Sequence, residues 1–241
     1  MPSLKILRNL PSYTFTFGRY FRDLVRYPTC NTIPHTVAAD GKASAVADPV
    51  PYGLTLFDVL GQRKYISLSE RSRFLTQCKK ADWETRLFCL VLLYTGCRIS
   101  EALALTPDHI DVGTLSVVFR TLKRRCLVHR AVPVPSALVI ELVSLTGTKP
   151  RDQRIWSWTR PTGWRRVKAI MAEAGIKGPQ ASPKGLRHGF GVANAEHNVP
   201  AALTQQWMGH ADLETTAIYQ QAKGAEARRF AKRLWQDYGK L

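Results

Sequence analysis

The run LFCLVLLY at residues 87–94 constrains the fold more than any other stretch of the chain. These residues are apolar on every side of a helix, so the helix that they form has to be buried in the middle of a domain. The run is too short to span a bilayer. Thr95 and Gly96 follow and are predicted to end the helix, and a second helix is predicted to start near Ile99.

Arg98 lies at the break between these two helices, directly after the buried one. A charged side chain at such a place is costly unless it is paired or bound to an anion. Glu101 lies three residues further on, so an ion pair between Arg98 and Glu101 is one interpretation. Binding of an anion by Arg98 is the other, and the spacing favours neither.

The pattern then changes from helical to β. Residues 114–121 and 128–134 are rich in β-branched side chains and flank a basic turn at residues 123–125. They predict an antiparallel hairpin, with residues 110–112 as a candidate third strand. Cations at a hairpin tip can reach a DNA groove or a phosphate, although a basic turn also keeps a strand edge soluble.

Further helices are predicted near residues 67–75, 136–145 and 164–174. The expected fold class is therefore mainly α-helical with a small three-stranded antiparallel sheet. Residues 1–64 contain several prolines and little regular patterning, which favours a partly irregular N-terminal extension. Residues 65–241 are expected to form the main domain.

The charge of the chain points to a polyanionic partner. Lysine and arginine number 35 against 18 acidic residues, which gives a formal net charge of +17. Such a field favours nucleic acid first and an anionic membrane second. The N-terminus lacks a signal peptide pattern, and the 5 cysteines include no C-x-x-C pair. These features predict a cytoplasmic protein with free thiols and no zinc site.

Residues 182–219 contain the strongest candidate site. Ser182 followed by Pro183 is typical of a helix start, because the hydroxyl caps free amides and proline needs no amide partner there. Lys184 and Arg187 then lie on one face of the first turns, close to the positive end of the helix dipole. Two cations beside a helix N-terminus predict a binding place for an anion, most simply a phosphate.

A histidine and a tyrosine follow on the next elements. Gly209 and His210 are predicted to end one helix, and Asp212 is predicted to cap the next helix, which would carry Tyr219. A histidine and a phenol beside a phosphate site suggest proton transfer and a phenolic nucleophile. We expect the surrounding cations to lower the cost of forming the phenolate of a tyrosine, whose reference pKa is near 10.

Three sequence boxes together resemble the tyrosine recombinases of the phage integrase family, over about residues 66–235. YTGCRISEALAL resembles the first arginine box and contains Arg98. SPKGLRHGF resembles the His/Lys-x-x-Arg box and contains Arg187. QQWMGHADLETTAIY resembles the Gly-His box, which is followed nine residues later by the nucleophilic tyrosine, here Tyr219.

The resemblance implies a role for each matching residue. Arg98 and Arg187 would clamp the non-bridging oxygens of the scissile phosphate, and His210 would hydrogen-bond to it. Lys123 would protonate the leaving 5′-oxygen, and Tyr219 would form a 3′-phosphotyrosyl bond. The remaining expected residues are Lys184 in place of the commoner histidine, Glu101 and His188 as supporting residues, and Arg124, Arg125, Arg165 and Arg166 as DNA contacts.

The resemblance also implies double-stranded DNA as the partner, with no metal and no cofactor, since fixed cations can stabilise the transition state. Residues 1–64 look poorly suited to the helical DNA-clamping domain that usually precedes the catalytic domain in the family, so we expect either a member with the catalytic domain alone or one with a reduced clamp. Contacts between subunits then become more important, and we expect a homotetramer on two DNA sites, with a C-terminal helix predicted over residues 228–240 exchanged between subunits. A type IB topoisomerase-like nicking and closing enzyme and a non-catalytic DNA-binding accessory protein are the alternatives.

Overall fold

The computed structural model describes residues 55–121, 128–147 and 149–221, together with residues 228, 231, 232 and 235. Most of the expected N-terminal extension, the basic turn at residues 123–125 and most of the C-terminal helix lie outside the described residues. The predicted fold class is confirmed, since the described chain is mainly helical with a three-stranded antiparallel sheet. None of the described helices is long and apolar enough to cross a membrane.

The described helices are α1 (Leu68–Cys78), α2 (Trp83–Thr95), α3 (Ile99–Leu103), α4 (Ser136–Thr146), α5 (Arg160–Glu173), α6 (Pro183–Glu196), α7 (Ala201–Met208) and α8 (Glu214–Ala217). A 3-10 turn, Ile218–Gln221, directly follows α8. The predicted central helix is confirmed as α2, which packs against α1, α4, α5 and α6. Gly96 ends α2 in a left-handed conformation with a φ of 59°, which glycine adopts at little cost.

The sheet consists of β1 (Ile110–Asp111), β2 (Ser116–Arg120) and β3 (His129–Pro133) in the order β1-β2-β3. The predicted hairpin and its third strand are therefore confirmed. Side chains alternate along β3, so that Arg130 and Val132 are buried while their neighbours are exposed. This alternation places one arginine on the apolar face of the sheet.

Helix α5 begins four residues earlier than predicted. It starts at Arg160, and the side chain of Thr159 accepts a hydrogen bond from the Thr162 amide at 3.4 Å. Pro161 belongs to the first turn, where a missing amide costs nothing. Gly163 faces the core, because a Cβ there would lie 3.2 Å from the ring of Phe88. The sequence predicted a start near residue 164, but the residues before it already form the beginning of the helix.

A small apolar cluster lies apart from the main core. It consists of Leu56, Tyr65, Val192, Met208, Ile218 and Tyr219. Leu56 and Tyr65 belong to a short segment before α1, in which Phe57 and Arg63 form an antiparallel bridge. Leu56, which precedes the expected start of the main domain at residue 65, therefore contributes to the environment of Tyr219.

Candidate active site

Arg98 lies at the N-cap of α3, two residues after the left-handed turn at Gly96. Its guanidinium forms an ion pair with Glu101, with 2.9 Å between Nη1 and Oε1, and its backbone amide donates to Oε2 at 2.7 Å. The ion pair predicted as one alternative is therefore present. Because the Arg98 side chain remains 28% exposed, it can also contact an anion from solvent.

Arg187 connects the first arginine box to the end of α7. Its Nη1 donates to the carbonyl of Gly96 at 2.7 Å, and its Nη2 donates to the carbonyl of Met208 at 2.7 Å. Burial and then the charge of Arg98 lower its pKa to about 10. Arg187 is therefore still a cation at neutral pH, and the arginines of two distant boxes are close enough to repel each other.

His188 contacts the phenol of Tyr219. Its Nδ1 lies 3.3 Å from the Tyr219 hydroxyl oxygen. Burial and the charges of Lys184, Arg187 and Lys64 lower the pKa of His188 to about 4, so the ring is neutral at neutral pH. A neutral imidazole can accept the phenolic hydrogen at Nδ1. Its Nε2 is buried and has no hydrogen-bond partner among the described residues.

Tyr219 is almost completely buried, with 2% of the residue exposed. Its ring lies against Gly191 of α6, where a Cβ would come within 2.6 Å of three ring atoms. Burial raises its pKa to about 12, although Arg187 and Arg98 oppose this increase. The two arginines favour the phenolate, as expected, but burial outweighs them and the net pKa lies above its usual value.

His210 follows Gly209, which ends α7 in a left-handed conformation. Its Nδ1 lies 2.9 Å from the hydroxyl of Thr216, and its ring is within 17° of parallel to Tyr219 at a centroid distance of 6.1 Å. Burial and the charges of Arg187 and Arg98 are the main reasons why its pKa falls to about 3. His210 is therefore a neutral hydrogen-bonding group near the two arginines.

Asp212 does not cap the following helix as predicted. Helix α8 begins at Glu214, and Leu213 occupies the N-cap position without a side-chain hydrogen bond. The helix starts one residue too late for the Asp212 carboxylate to meet its first free amides. The segment that carries Tyr219 therefore begins without the cap that the sequence suggested.

The remaining predicted site residues differ in exposure and in their contacts with other elements. The predicted helix start at Ser182 is confirmed, because its hydroxyl accepts from the Gly185 amide at 3.1 Å. Lys184 is exposed on the first turn of α6, and Arg165 is exposed on α5. Arg166 contacts α2 and Trp158. Lys123, Arg124 and Arg125 lie outside the described residues.

Arg166 joins α5 to the start of α2. It bonds to Asp82 at 3.1 Å and to the Thr85 hydroxyl at 2.6 Å, and its guanidinium lies 4.2 Å from the centre of the Trp158 ring. These contacts leave Arg165 as the more accessible of the two adjacent arginines for a partner outside the domain.

Arg130 is a central residue that sequence reasoning missed. Its side chain is 3% exposed and forms an ion pair with Glu101, with 2.6 Å between Nη2 and Oε2. It also donates to the carbonyl of Trp207 at 2.8 Å. A signal was present, since the period of two along the strand places Arg130 on the same face as Val132 and Val134. A cation on an apolar face requires a buried partner.

The sequence model of the phage integrase family matches residues 64–226. The chain therefore belongs to the phage integrase family, as the resemblance of the three boxes predicted.

Its relatives among curated proteins are tyrosine recombinases. The chain is 33% identical over 144 residues to the tyrosine recombinase XerD of Pseudomonas putida, covering 54% of this chain and 46% of that protein. It is 28% identical over 220 residues to XerD of Listeria monocytogenes, covering 84% of this chain and 72% of that protein. The chain thus spans about half the length of the first of these relatives.

Solved structures show the same fold. The structure matches XerA recombinase with a TM-score of 0.61 at 22% identity, over 73% of this chain and 64% of that chain. It matches the catalytic domain of bacteriophage HP1 integrase with a TM-score of 0.51 at 21% identity, over 66% and 88% of the two chains. The fold is therefore that of a tyrosine recombinase catalytic domain.

Proposed function

We propose that this protein is a site-specific DNA recombinase that cuts and rejoins DNA through a covalent bond between Tyr219 and a 3′-phosphate. One observation carries the proposal. Arg98, Arg187, His210 and Tyr219 come from three separate sequence boxes, and the charges of Arg98 and Arg187 lie close enough to His210 and Tyr219 to act on the pKa of both. Such a group of fixed donors around a phenol suits attack on a phosphodiester.

In the proposed cleavage step, the Tyr219 hydroxyl oxygen forms a bond to phosphorus while the bond from phosphorus to the 5′-oxygen breaks. Arg98 and Arg187 bind the two non-bridging oxygens, and neutral His210 donates a hydrogen bond to the same phosphate. The phenolic proton passes to Nδ1 of neutral His188, which lies 3.3 Å from the hydroxyl oxygen before the tyrosine segment shifts. Lys123 supplies a proton to the 5′-oxygen, and attack by a second 5′-hydroxyl reverses the step.

The burial of Tyr219 adds a requirement to this reaction. A ring that is 2% exposed cannot meet a DNA phosphate in place. The segment of α8 and the 3-10 turn must therefore shift so that the phenol leaves the small apolar cluster. Once the phenol approaches the arginines outside that cluster, the burial that raises its pKa is relieved and the cations lower the cost of the phenolate.

Relatives support the DNA partner. The XerH site-specific recombinase was solved with its difH substrate in pre-cleavage and post-cleavage complexes, with TM-scores of 0.56 and 0.61 to this chain. We propose that double-stranded DNA is the partner here also, with the cations Lys184, Arg165, Lys123, Arg124 and Arg125 as contacts to it. A homotetramer on two DNA sites, with exchange of the C-terminal helix, is part of the same proposal.

Substitution of the nucleophile tests the proposal. Tyr219→Phe removes one oxygen and leaves the buried ring in place, so DNA affinity should stay within a few-fold of the unmodified protein. Covalent adduct with a nicked suicide substrate, resolved on a denaturing gel, should disappear. Tyr94→Phe is the matched control, because Tyr94 is a half-exposed tyrosine on α2. An adduct formed by Tyr219→Phe would contradict the assignment.

A further inference from the structure

Arg130 is a buried cation whose hydrogen bonds reach α3, the residue that follows β2, and α7. Its Nη2 and Nη1 donate to the two carboxylate oxygens of Glu101 at 2.6 and 3.3 Å, and Nη1 also donates to the Thr121 hydroxyl at 3.2 Å. Its Nε donates to the carbonyl of Trp207 at 2.8 Å. The guanidinium lies 5.0 Å from the centre of the Phe119 ring. A planar fork of donors in this arrangement fixes the direction of each partner.

The Glu101 carboxylate is shared between Arg130 and Arg98. It has no exposed side-chain surface, and its Oε1 accepts from Arg98 at 2.9 Å while both oxygens accept from Arg130. Burial acts to raise the pKa of Glu101, but the charge and hydrogen bonds of Arg130 and the contacts with Arg98 bring it below its usual value. Arg130 thus keeps Glu101 ionised and oriented, and the oriented carboxylate holds Arg98.

The same guanidinium also supports the turn before His210. The carbonyl of Trp207 is in the last turn of α7, where backbone carbonyls lack helical partners. Arg130 binds that carbonyl, and Arg187 binds the next one, that of Met208, at 2.7 Å. The backbone at Gly209 lies close to the Arg130 guanidinium, since a Cβ at this position would be 3.0 Å from Nη1.

We propose that Arg130 is a positioning residue for strand transfer, which orients Arg98 through Glu101 and the His210 turn through the carbonyl of Trp207. Arg130 itself is too buried to touch DNA. This inference rests on the proposed function, because it assigns Arg130 to the same reaction. It explains why a charge is kept on the apolar face of the sheet.

The test compares Arg130→Lys and Arg130→Gln with the unmodified protein on a nicked suicide substrate at saturating concentration. Lysine keeps the charge and loses the fork, so Arg98 and the turn before His210 should shift. Misplacement on the order of 1 Å can cost about 100-fold in rate, and we expect a loss of about this size in single-turnover cleavage. DNA affinity should change by only a few-fold, because Arg130 does not touch DNA. Arg86→Lys, in the ion pair with Glu141, is the matched control.

A second substrate separates positioning from a general structural effect. It carries a methylphosphonate at the scissile position, so that a methyl group replaces one charged non-bridging oxygen. A neutral phosphate depends less on arginine, and the loss caused by Arg130→Lys should therefore shrink on it, as should the loss caused by Arg98→Ala. An equal loss on both substrates would overturn the positioning role.

The outcomes for Arg130 and for the proposed function are distinguishable. If the unmodified protein forms no adduct, the proposed function fails. If it does and both Arg130 variants cleave at its rate, the inference about Arg130 fails while the function stands. If neither variant folds by circular dichroism, Arg130 serves the fold alone and the positioning role is rejected.

Discussion

The arginines of the candidate site are held by many polar contacts, whereas its tyrosine is held mainly by apolar packing. Arg98, Glu101, Arg130 and Arg187 form a frame of ion pairs and hydrogen bonds to backbone carbonyls, next to core residues of α2, α3 and α6. Tyr219 instead follows a four-residue helix that begins without a side-chain cap. Its ring lies in the small apolar cluster, and the hydrogen bond of its hydroxyl to His188 is 3.3 Å long.

In the proposed reaction, this difference corresponds to a preorganised set of cations and a tyrosine segment that has to shift. A frame of fixed charges can stabilise a phosphate without reorganising during the reaction. A buried tyrosine whose hydroxyl has one long hydrogen bond would not reach a phosphate until its segment shifts. Changes to the frame and changes to the tyrosine segment should therefore have different effects.

The largest effect is expected from removal of the shared carboxylate of the frame. Glu101→Ala leaves Arg130 as a buried charge without its main partner, which should lower the free energy of unfolding by about 3–5 kcal/mol. Chemical denaturation monitored by circular dichroism measures the free energy of unfolding. Glu141→Ala breaks the half-exposed ion pair with Arg86 and should cost less than about 1 kcal/mol. Equal losses in the two variants would contradict a frame centred on Glu101.

Leu56→Ala should loosen the tyrosine segment and leave the frame unchanged. Leu56 is 2% exposed in the small cluster, and truncation of a buried leucine costs about 2–5 kcal/mol. We expect a smaller global loss than this, together with faster amide hydrogen exchange at residues 214–221. Exchange in α2 should stay as in the unmodified protein, whereas Leu142→Ala in the main core should affect both regions. If Leu56→Ala exchanged faster throughout the domain, the tyrosine segment would not be independent of the frame.

Acid should destabilise the site through its neutral histidines. The folded pKa values of His188 and His210 are about 4 and 3, below the unfolded value near 6.5. The unfolded state therefore binds more protons as pH falls below about 6.5, and each histidine should remove about 1 kcal/mol of stability per pH unit towards pH 4. Their contribution is fully present above pH 6.5.

Denaturation at several pH values between 7 and 4 measures this dependence. His210→Gln removes one of the two groups, so its stability should fall less steeply with acid than that of the unmodified protein. His197→Gln changes an exposed histidine at the end of α6 and serves as the control. An unchanged slope in His210→Gln would show that His210 already protonates normally in the folded protein.

The smallest effect is expected at Thr216, whose hydroxyl lies 2.9 Å from Nδ1 of His210. Thr216→Val keeps the shape and removes one buried hydrogen bond, which should cost about 1 kcal/mol of unfolding free energy. Thr215→Val is its neighbour on α8 and controls for helix propensity. Thermal unfolding compares the two variants, and an equal shift in both would show that the bond to His210 contributes nothing.

Patterns within single elements were readable from the sequence. The all-round apolar run of residues 87–94 predicted the buried α2, and β-branched runs predicted the hairpin, because these properties depend on neighbours along the chain. The start of α5 at Arg160 was missed, because proline looks like a break and is also compatible with a first turn. Asp212 was expected as a cap, but one residue of shift in the loop was enough to remove it.

The three boxes could be read as a phosphate site, yet the state of that site depends on residues far away in the chain. Leu56 and Tyr65 help to bury Tyr219, and their contribution to its raised pKa has no signature at the tyrosine itself. Arg130 pairs with Glu101 from another element, and only the strand register brings the two together. Tertiary packing decides both features, and local patterning does not reveal them.

Identification of the residue that becomes joined to DNA tests the central claim most directly. The protein is trapped on a nicked substrate and digested with protease and nuclease, and the peptide that retains a nucleotide is sequenced by mass spectrometry. A 3′-phosphate linked to the oxygen of Tyr219 is the expected result. A nucleotide on any other residue, or a link through a 5′-phosphate, would contradict the proposed mechanism.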